Sequence, residues 1–137
     1  MVKPIVHDPF FLALKSEPAA KGDAAIANDL LETLIANKDH CVGMAANMIG
    51  IRKRIIAFDN NGTYMTMFNP EIIKASLPYN TQEGCLSLLG GPRPCTRFQL
   101  IQVRWLDADF RFHTQSFSGW TAQIIQHEVD HCNGILI

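Results

Sequence analysis

The spacing of apolar residues predicts two helices, one in each half of the chain. Apolar side chains recur every three or four residues at Ile26, Leu30 and Leu34, which is the period of a helix with one buried face. Asp23 is a suitable N-terminal cap, and this helix should end near Asn37. A second helix is predicted from about residue 118 to residue 132.

Between the helices, apolar runs rich in β-branched and aromatic residues predict strands that pair as two hairpins. The strands are residues 54–59 with 64–68, and residues 100–106 with 110–117. The first turn, Asn60-Asn61-Gly62, contains residues that tolerate positive φ, and residues 107–109 form the second turn. Residues 134–136 are also strand-like. Several strands followed by one helix indicate an α+β fold.

Length and composition favour one domain over residues 1–137. Of the 137 residues, 47% are apolar and 18% are charged, and no linker or repeat divides them. No apolar run approaches the roughly 18 residues that cross a bilayer, and the N-terminal stretch lacks the apolar segment of a leader peptide. We therefore expect a cytoplasmic domain without a membrane partner.

Charge and cysteine usage narrow the function classes further. The net charge of −1 gives no electrostatic reason to expect a nucleic-acid partner, and specific DNA binding is not expected. The four cysteines stand at positions 41, 85, 95 and 132 without a close-spaced pair. In a cytoplasmic protein we expect reduced thiols, each a small buried hydrophobe or a metal ligand.

The stretch QHEVDHC, residues 126–132, carries a candidate metal site. On a helix, His127 and His131 lie about 40° apart and one turn along, so both imidazoles can bind one ion. Glu128 is close enough to hold a water molecule without being a ligand, as a general base does. Although such a string also arises by chance on surface helices, the preceding Ile124 and Ile125 indicate a buried helix, where unpaired polar side chains are costly.

A third ligand has to come from upstream, because only CNGILI follows the second histidine and Cys132 points about 100° away from it. Cys85 is the preferred candidate, since it lies in EGCLSLLGG at an apparent strand end. Cys95 and Cys41 remain alternatives on spacing alone.

Three segments of the chain resemble the signature motifs of peptide deformylases. Residues 83–87, EGCLS, resemble the second motif, and residues 126–131, QHEVDH, resemble the third. Residues 41–50, CVGMAANMIG, resemble the first, G-x-G-L-A-A-x-Q-x-G, and the three stand in family order. The resemblance implies an α+β fold in which small antiparallel or mixed sheets pack around a C-terminal helix with HExxH, beside an N-terminal helix.

The resemblance also implies a site and a reaction. One divalent metal would be bound by Cys85, His127 and His131, with a water molecule in the fourth position and Glu128 as acid and base. The expected ion is Fe²⁺, with Zn²⁺, Ni²⁺ and Co²⁺ as alternatives. The reaction would remove the formyl group from N-formylmethionyl chains, with the ribosome as a transient partner. The backbone N–H of Leu86 would donate to the oxyanion.

The first motif departs from the family at Met48, which stands where the family has the glutamine that donates to the oxyanion. A thioether cannot donate a hydrogen bond, and loss of one such donor typically slows a reaction by about 10²- to 10³-fold. We therefore expect a slow enzyme unless another group replaces the amide. Gln123, one helical turn before His127, is a candidate, although a solvent-facing or pocket-lining position is the simpler expectation.

Other residues near the motifs are expected to bind the substrate or to support the ligands. The candidates for the substrate pocket are Val42, Gly43, Gly84, Trp120 and Ile124. Glu83 is expected to orient a histidine, and Arg97 is expected to pair with Asp130, because metal ligands are commonly held by such partners.

Two alternatives differ in class from a deformylase. Met48 is compatible with a slow or inactive homologue that binds formylmethionyl peptides without turning them over. A general zinc protease is disfavoured by the cysteine ligand and by the short segment that follows His131.

Overall fold

Five strands form one antiparallel sheet, in which each strand pairs with its neighbours in the chain. The structure, a computed structural model, describes residues 1–137 except for the side chain of Leu89. In order across the sheet, the strands are β1 (Gly43–Ala45), β2 (Ile55–Asn60), β3 (Thr63–Cys85), β4 (Leu88–Leu106) and β5 (Phe112–Ser118).

Helices complete the fold. The α-helices are α1 (Pro9–Leu12), α2 (Ala24–Ala36) and α3 (Gly119–Cys132), and 3₁₀ helices span Lys21–Asp23 and Ala46–Ile49. The predictions of α2 and α3 are confirmed to within about a residue at each end, as is the α+β class. Within the described part of the chain, none of the helices combines the length and apolar character that a membrane span requires.

The strand β2 lies at the centre of the core, since both of its faces are buried. Ile56 and Phe58 belong to one apolar cluster with residues of α3, β4 and β5. Ile55 and Ala57 belong to a second cluster with residues of α2 and the 3₁₀ helix at 46–49. Successive residues of a strand point to opposite faces, so packing on both sides explains the uninterrupted apolar run in the sequence.

The strands β3 and β4 form a hairpin much longer than the sequence predicted. The predicted strands 64–68 and 100–106 are only the base of this hairpin, which continues to residue 85 and returns from residue 88. Prolines argue against strand interiors, and this hairpin contains several. Pro70 lies in a register shift between Phe68 and Glu71, whereas Pro78 and Pro94 lie within paired segments.

The tip of this hairpin carries the cysteine of the second motif. Cys85 is the last residue of β3 and pairs with Leu88, so Leu86 and Ser87 form a two-residue turn outside the ladder of paired strands. A register shift between Glu83 and Cys85 precedes the turn. The hairpin thereby places both a thiol and the N–H of Leu86 at one end of the sheet.

The prediction of a strand at residues 134–136 is wrong. These residues instead terminate α3: Gly134 adopts φ +75° and its N–H donates to His131 O at 3.1 Å. The N–H of Ile135 donates to Asp130 O at 2.9 Å, which completes a Schellman cap. The hydrogen bonds that cap α3, rather than the apolar side chains of residues 135–136, decide the conformation of this segment.

Candidate metal centre and active site

Two imidazoles of α3 face each other across one helical turn. The rings of His127 and His131 lie 4.7 Å apart between centroids in an edge-to-face arrangement. Their Nε2 atoms are 3.0 Å apart, and both side chains are buried. The four-residue spacing in a helix accounts for this arrangement, as the sequence predicted.

Cys85 brings a third ligand atom to the same point from the hairpin tip. Its Sγ lies 3.3 Å from Nε2 of His131. The sulfur atom of Cys85 and one ring nitrogen from each of the two histidines all lie within 4.8 Å of one another. Among the described residues, no other cluster of three His, Cys, Asp or Glu side chains meets this condition.

The two other cysteines considered as ligands lie outside this cluster. The Cys41 thiol donates a 2.8 Å hydrogen bond to Gly43 O, and burial raises its pKa to about 12, so it stays protonated. Cys95 lies on β4 opposite Thr81, away from the hairpin tip. The geometry therefore favours Cys85 over both alternatives.

The protonation states around the cluster suit a divalent cation. Burial, together with the charges of His127 and Arg97, lowers the pKa of His131 to about 3, so its ring is neutral. Burial opposes protonation of His127, but the charge of Glu128 and the contacts with Cys85 and Glu83 raise its pKa to about 10. The raised pKa reflects the negative groups around His127, and a cation bound to its Nε2 would take the place of the proton there. A thiolate with two imidazoles is a ligand set typical of catalytic metal sites.

A carboxylate fixes the ring of His127. Oε1 of Glu83 lies 2.8 Å from Nδ1 of that histidine, and since a carboxylate only accepts, Nδ1 carries the hydrogen and Nε2 is left to bind an ion. Burial would raise the pKa of Glu83, but its hydrogen bonds to His127 and Arg97 lower that pKa well below the usual range. Glu83 is therefore charged.

Arg97 joins this carboxylate to α3. Its guanidinium donates to both oxygens of Glu83, with a shortest distance of 2.7 Å, and to Oδ2 of Asp130 at 2.6 Å. The Arg97 side chain is 6% exposed, so the pairing is shielded from water. Both supporting contacts expected from the sequence, on the histidine and on Asp130, are present in this network.

Glu128 is buried beside the ligands, with 3% of its surface exposed. Burial raises its pKa to about 7, although the charge of His127 acts in the opposite direction. Its Oε1 is buried and has no hydrogen-bond partner among the described residues, as a group that holds a water molecule or substrate would require. Gly43 makes room for this carboxylate, because a Cβ at Gly43 would lie 2.8 Å from Oε2 and equally close to Ile124.

A cavity of about 590 Å³ opens in front of these groups. Its wall includes Cys85, His127 and Glu128, and every residue predicted for the substrate pocket: Val42, Gly43, Gly84, Trp120 and Ile124. Trp120 is 58% exposed and Val42 is 37% exposed, whereas Ile124 is 4% exposed. The first two therefore belong to the mouth and the third to the floor of an apolar cavity that suits a small ligand.

Comparison with known proteins agrees with these observations. The family model for polypeptide deformylase matches residues 3–137. The chain belongs to this family. A peptide deformylase of Clostridium beijerinckii is 52% identical over 137 residues, which cover 100% of both chains.

Solved deformylase structures share the fold. The Met-Ala-Ser-bound class I type b peptide deformylase of Acinetobacter baumannii is 28% identical, with a TM-score of 0.89 over 99% of this chain and 97% of that chain. The enzyme of Thermotoga maritima is 26% identical, with a TM-score of 0.89 over 99% and 95%. The chain is thus a metal-dependent amidohydrolase that removes the formyl group from N-terminal formylmethionine.

This deformylase has an apolar side chain, Met48, at the position where the motif resemblance implies a hydrogen-bond donor. Met48 lies in the 3₁₀ helix at 46–49, is 1% exposed and lines the same cavity as Cys85. Gln123 also lines the cavity, but its Nε2 donates to Glu83 at 2.8 Å and its Oε1 accepts from Tyr79 at 3.1 Å. The arrangement does not support Gln123 as a replacement for the missing amide.

Two residues of this deformylase site were missed by the sequence analysis. Asn47 is fully buried and donates to the backbone oxygen of His131 at 3.0 Å, which ties the first motif to α3. Its place beside Met48 in the first motif was the available signal. Tyr79 lies outside the three motifs. Its contact with α3 depends on the path of the long hairpin, so no local pattern in the sequence identifies it.

Proposed function

We propose that this chain deformylates N-formylmethionyl peptides with one divalent ion bound by Cys85, His127 and His131, and that this ion is Fe²⁺. The observation that supports this proposal most directly is the convergence of three ligand atoms within 4.8 Å of one another beside a buried carboxylate. Three protein ligands leave one position open, as catalytic sites require. Zn²⁺, Ni²⁺ and Co²⁺ suit the same ligands.

The residues around the ion have separate tasks. A bound divalent ion would supply the Lewis acidity that activates water for attack on the formyl carbon. Glu128 accepts the proton of that water and passes it to the nitrogen of the leaving amine, for which a pKa of about 7 is suitable. The N–H of Leu86, in the turn at the hairpin tip, donates to the developing oxyanion.

The substrate would occupy the cavity of about 590 Å³. The relative from A. baumannii is described with Met-Ala-Ser bound, and this tripeptide is the product expected from a formylated substrate. In this chain Ile124, Val42 and Trp120 supply apolar surface for a methionine side chain, while Gly43 and Gly84 leave space for the peptide backbone. Since formylated chains arise on ribosomes, the proposal includes a cytoplasmic location and transient contact with the ribosome.

The direct test is hydrolysis of formyl-Met-Ala-Ser by the protein purified anaerobically with Fe²⁺. We expect turnover by the wild type and a loss of about 10²-fold or more in Glu128→Ala, which keeps all three ligands and should keep the metal. Metal content is measured in both proteins. A wild type that binds metal but hydrolyses no faster than Glu128→Ala would replace this proposal with the alternative, a homologue that binds formylmethionyl peptides.

A further inference from the structure

Gln123 is held on two sides by groups that are not metal ligands. Its Nε2 donates to Oε2 of Glu83 at 2.8 Å, and its Oε1 accepts a 3.1 Å hydrogen bond from the hydroxyl of Tyr79. The other oxygen of Glu83 receives Nδ1–H of His127 at 2.8 Å. A continuous chain of hydrogen bonds therefore runs from Tyr79 through Gln123 and Glu83 to a candidate metal ligand.

The two elements that carry these residues place them at matching intervals. Tyr79 and Glu83 are four residues apart on β3, so their side chains share one face of the strand. Gln123 and His127 are four residues apart on α3, so they lie on one side of the helix. The face of β3 that carries Glu83 and ends at Cys85 thus lies against the side of α3 that carries the ligands.

The hydrogen bond from the Gln123 amide opposes rotation of the Glu83 carboxylate toward Arg97. Nε and Nη2 of Arg97 donate to Oε1 at 3.1 and 2.7 Å, and Nε also lies 3.0 Å from Oε2. Without the amide, Oε2 would keep its 3.0 Å hydrogen bond from Nε of Arg97. Glu83 would then be free to rotate toward the guanidinium, and Oε1 would lose its alignment with Nδ1 of His127.

Tyr79 fixes which way the amide points. Burial raises the pKa of Tyr79, and the nearby charge of Glu83 acts in the same direction, so the hydroxyl remains a donor. A donor at this position selects the amide oxygen of Gln123 and turns its NH₂ group toward Glu83. The hydroxyl therefore favours the one amide orientation that supports the carboxylate.

We propose that Gln123, oriented by Tyr79, is a positioning residue for the metal centre, because it holds Glu83 in the rotation that aims Nε2 of His127 at the ion. This inference rests on the proposed metal site. It adds two residues that the three motifs do not contain, and it explains why the amide is turned away from the oxyanion. Partners of this kind commonly change metal affinity or activity by about 10- to 100-fold when they are removed.

The test uses Gln123→Met, Tyr79→Phe and the double variant, each loaded with Co²⁺. Methionine keeps the length of the side chain but removes the amide. Gln115→Met is the matched control, because Gln115 is exposed on β5 and is not among the residues that line the cavity. Thermal unfolding identifies any variant that does not fold, and Tyr79→Phe, which removes a single oxygen atom, serves as the milder change.

Three readouts follow each protein: the visible absorption of bound Co²⁺, the rate of metal loss to a chelator, and kcat and KM with formyl-Met-Ala-Ser. We expect Gln123→Met to alter the Co²⁺ spectrum, to speed metal loss by about tenfold and to lower kcat more than it raises KM. Tyr79→Phe should act in the same direction but less. The double variant should equal Gln123→Met, since the hydroxyl works through the amide.

An unchanged Co²⁺ spectrum and unchanged metal loss in folded Gln123→Met would overturn the inference, as would effects of the two substitutions that simply add. The spectrum and the rate of metal loss do not require turnover. If the wild type were to hydrolyse no formylated peptide, the proposed function would fail, while these two readouts would still decide the role of Gln123.

Discussion

At the scale of single residues, Met48 has the clearest consequence for the reaction rate. With a thioether at this position, the motifs offer one donor, the N–H of Leu86, to the oxyanion. One oxyanion donor is typically worth about 10²- to 10³-fold in rate, but the new amide enters an apolar cluster, which reduces the gain. Met48→Gln should therefore raise kcat by about tenfold or more.

Steady-state kinetics with formyl-Met-Ala-Ser measures this gain. Met48→Leu is the control, since it changes the same buried side chain without adding an amide, and it should leave kcat within about twofold. Thermal unfolding shows whether the buried amide lowers stability. Equal rates for folded Met48→Gln and Met48→Leu would mean that another group already binds the oxyanion.

Gly43 is the residue whose lack of a side chain gives Glu128 its space. Gly43→Ala would place a Cβ 2.8 Å from both Oε2 of Glu128 and Cγ2 of Ile124. We expect kcat to fall by tenfold or more as the carboxylate is displaced, with a loss of about 1–3 kcal/mol in the free energy of unfolding.

Urea unfolding gives the free energy of unfolding and steady-state kinetics gives kcat, both for Gly43→Ala and for the control Gly22→Ala. Gly22 lies in the first 3₁₀ helix, where an added Cβ meets no atom within 4 Å, so this control should change neither quantity much. Full activity in Gly43→Ala would show that Glu128 tolerates displacement and would weaken its assignment as the base.

At the scale of elements, the cap of α3 anchors the ligand-bearing helix to the N-terminal segment. Gly134 adopts φ +75°, and a Cβ there would lie 2.5 Å from Ala13 O. Ser16 N–H also donates to Cys132 O at 2.9 Å, so the segment after α1 runs along the helix end. Gly134→Ala should therefore suffer both left-handed strain and a backbone clash.

We expect Gly134→Ala to lower the free energy of unfolding by about 2–4 kcal/mol, as the sum of roughly 1 kcal/mol for the backbone conformation and the cost of the clash. Gly62→Ala is the matched control: its φ is +96°, but the space around it is open. Denaturant unfolding compares the two. Equal losses would mean that the contact with Ala13 relaxes at no cost.

At the scale of the whole molecule, a bound ion would join the hairpin tip to α3. Cys85 comes from β3 and both histidines come from the helix, so the ligands connect elements that are far apart in the chain. An ion that binds only the folded state stabilises it by about 4 kcal/mol at a thousandfold excess over its Kd.

Removal of the ion with a chelator should therefore lower Tm on the order of 10 °C, because 1 kcal/mol corresponds to roughly 2–4 °C for a chain of this size. Added metal should restore it. Cys85→Ser should lose most of this shift, whereas His113→Ala, at an exposed histidine outside the ligand cluster, should keep it. A Tm that does not depend on metal in the wild type would contradict a bridging site.

The sequence predicted elements well where local patterns decide them. The apolar period of α2, the ligand spacing in α3 and the Asn61-Gly62 turn, whose φ values are +51° and +96°, all follow from local backbone chemistry. The long hairpin was underestimated because its prolines argue against strands locally, while the ladder between β3 and β4 holds them in place. The strand predicted at 134–136 was wrong because it conflicts with the cap of α3.

The sequence by itself determined that His127 and His131 act as a pair, because the helical period dictates their separation, and motif resemblance pointed to Cys85 as their partner. Spacing alone left Cys41 and Cys95 as alternatives, and only the tertiary structure placed the three ligand atoms together. The roles of Tyr79 and Gln123 also depended on the fold. Contacts between residues 40 and 44 positions apart require the register of the hairpin against α3. Many pairings decide that register jointly, and no local pattern encodes it.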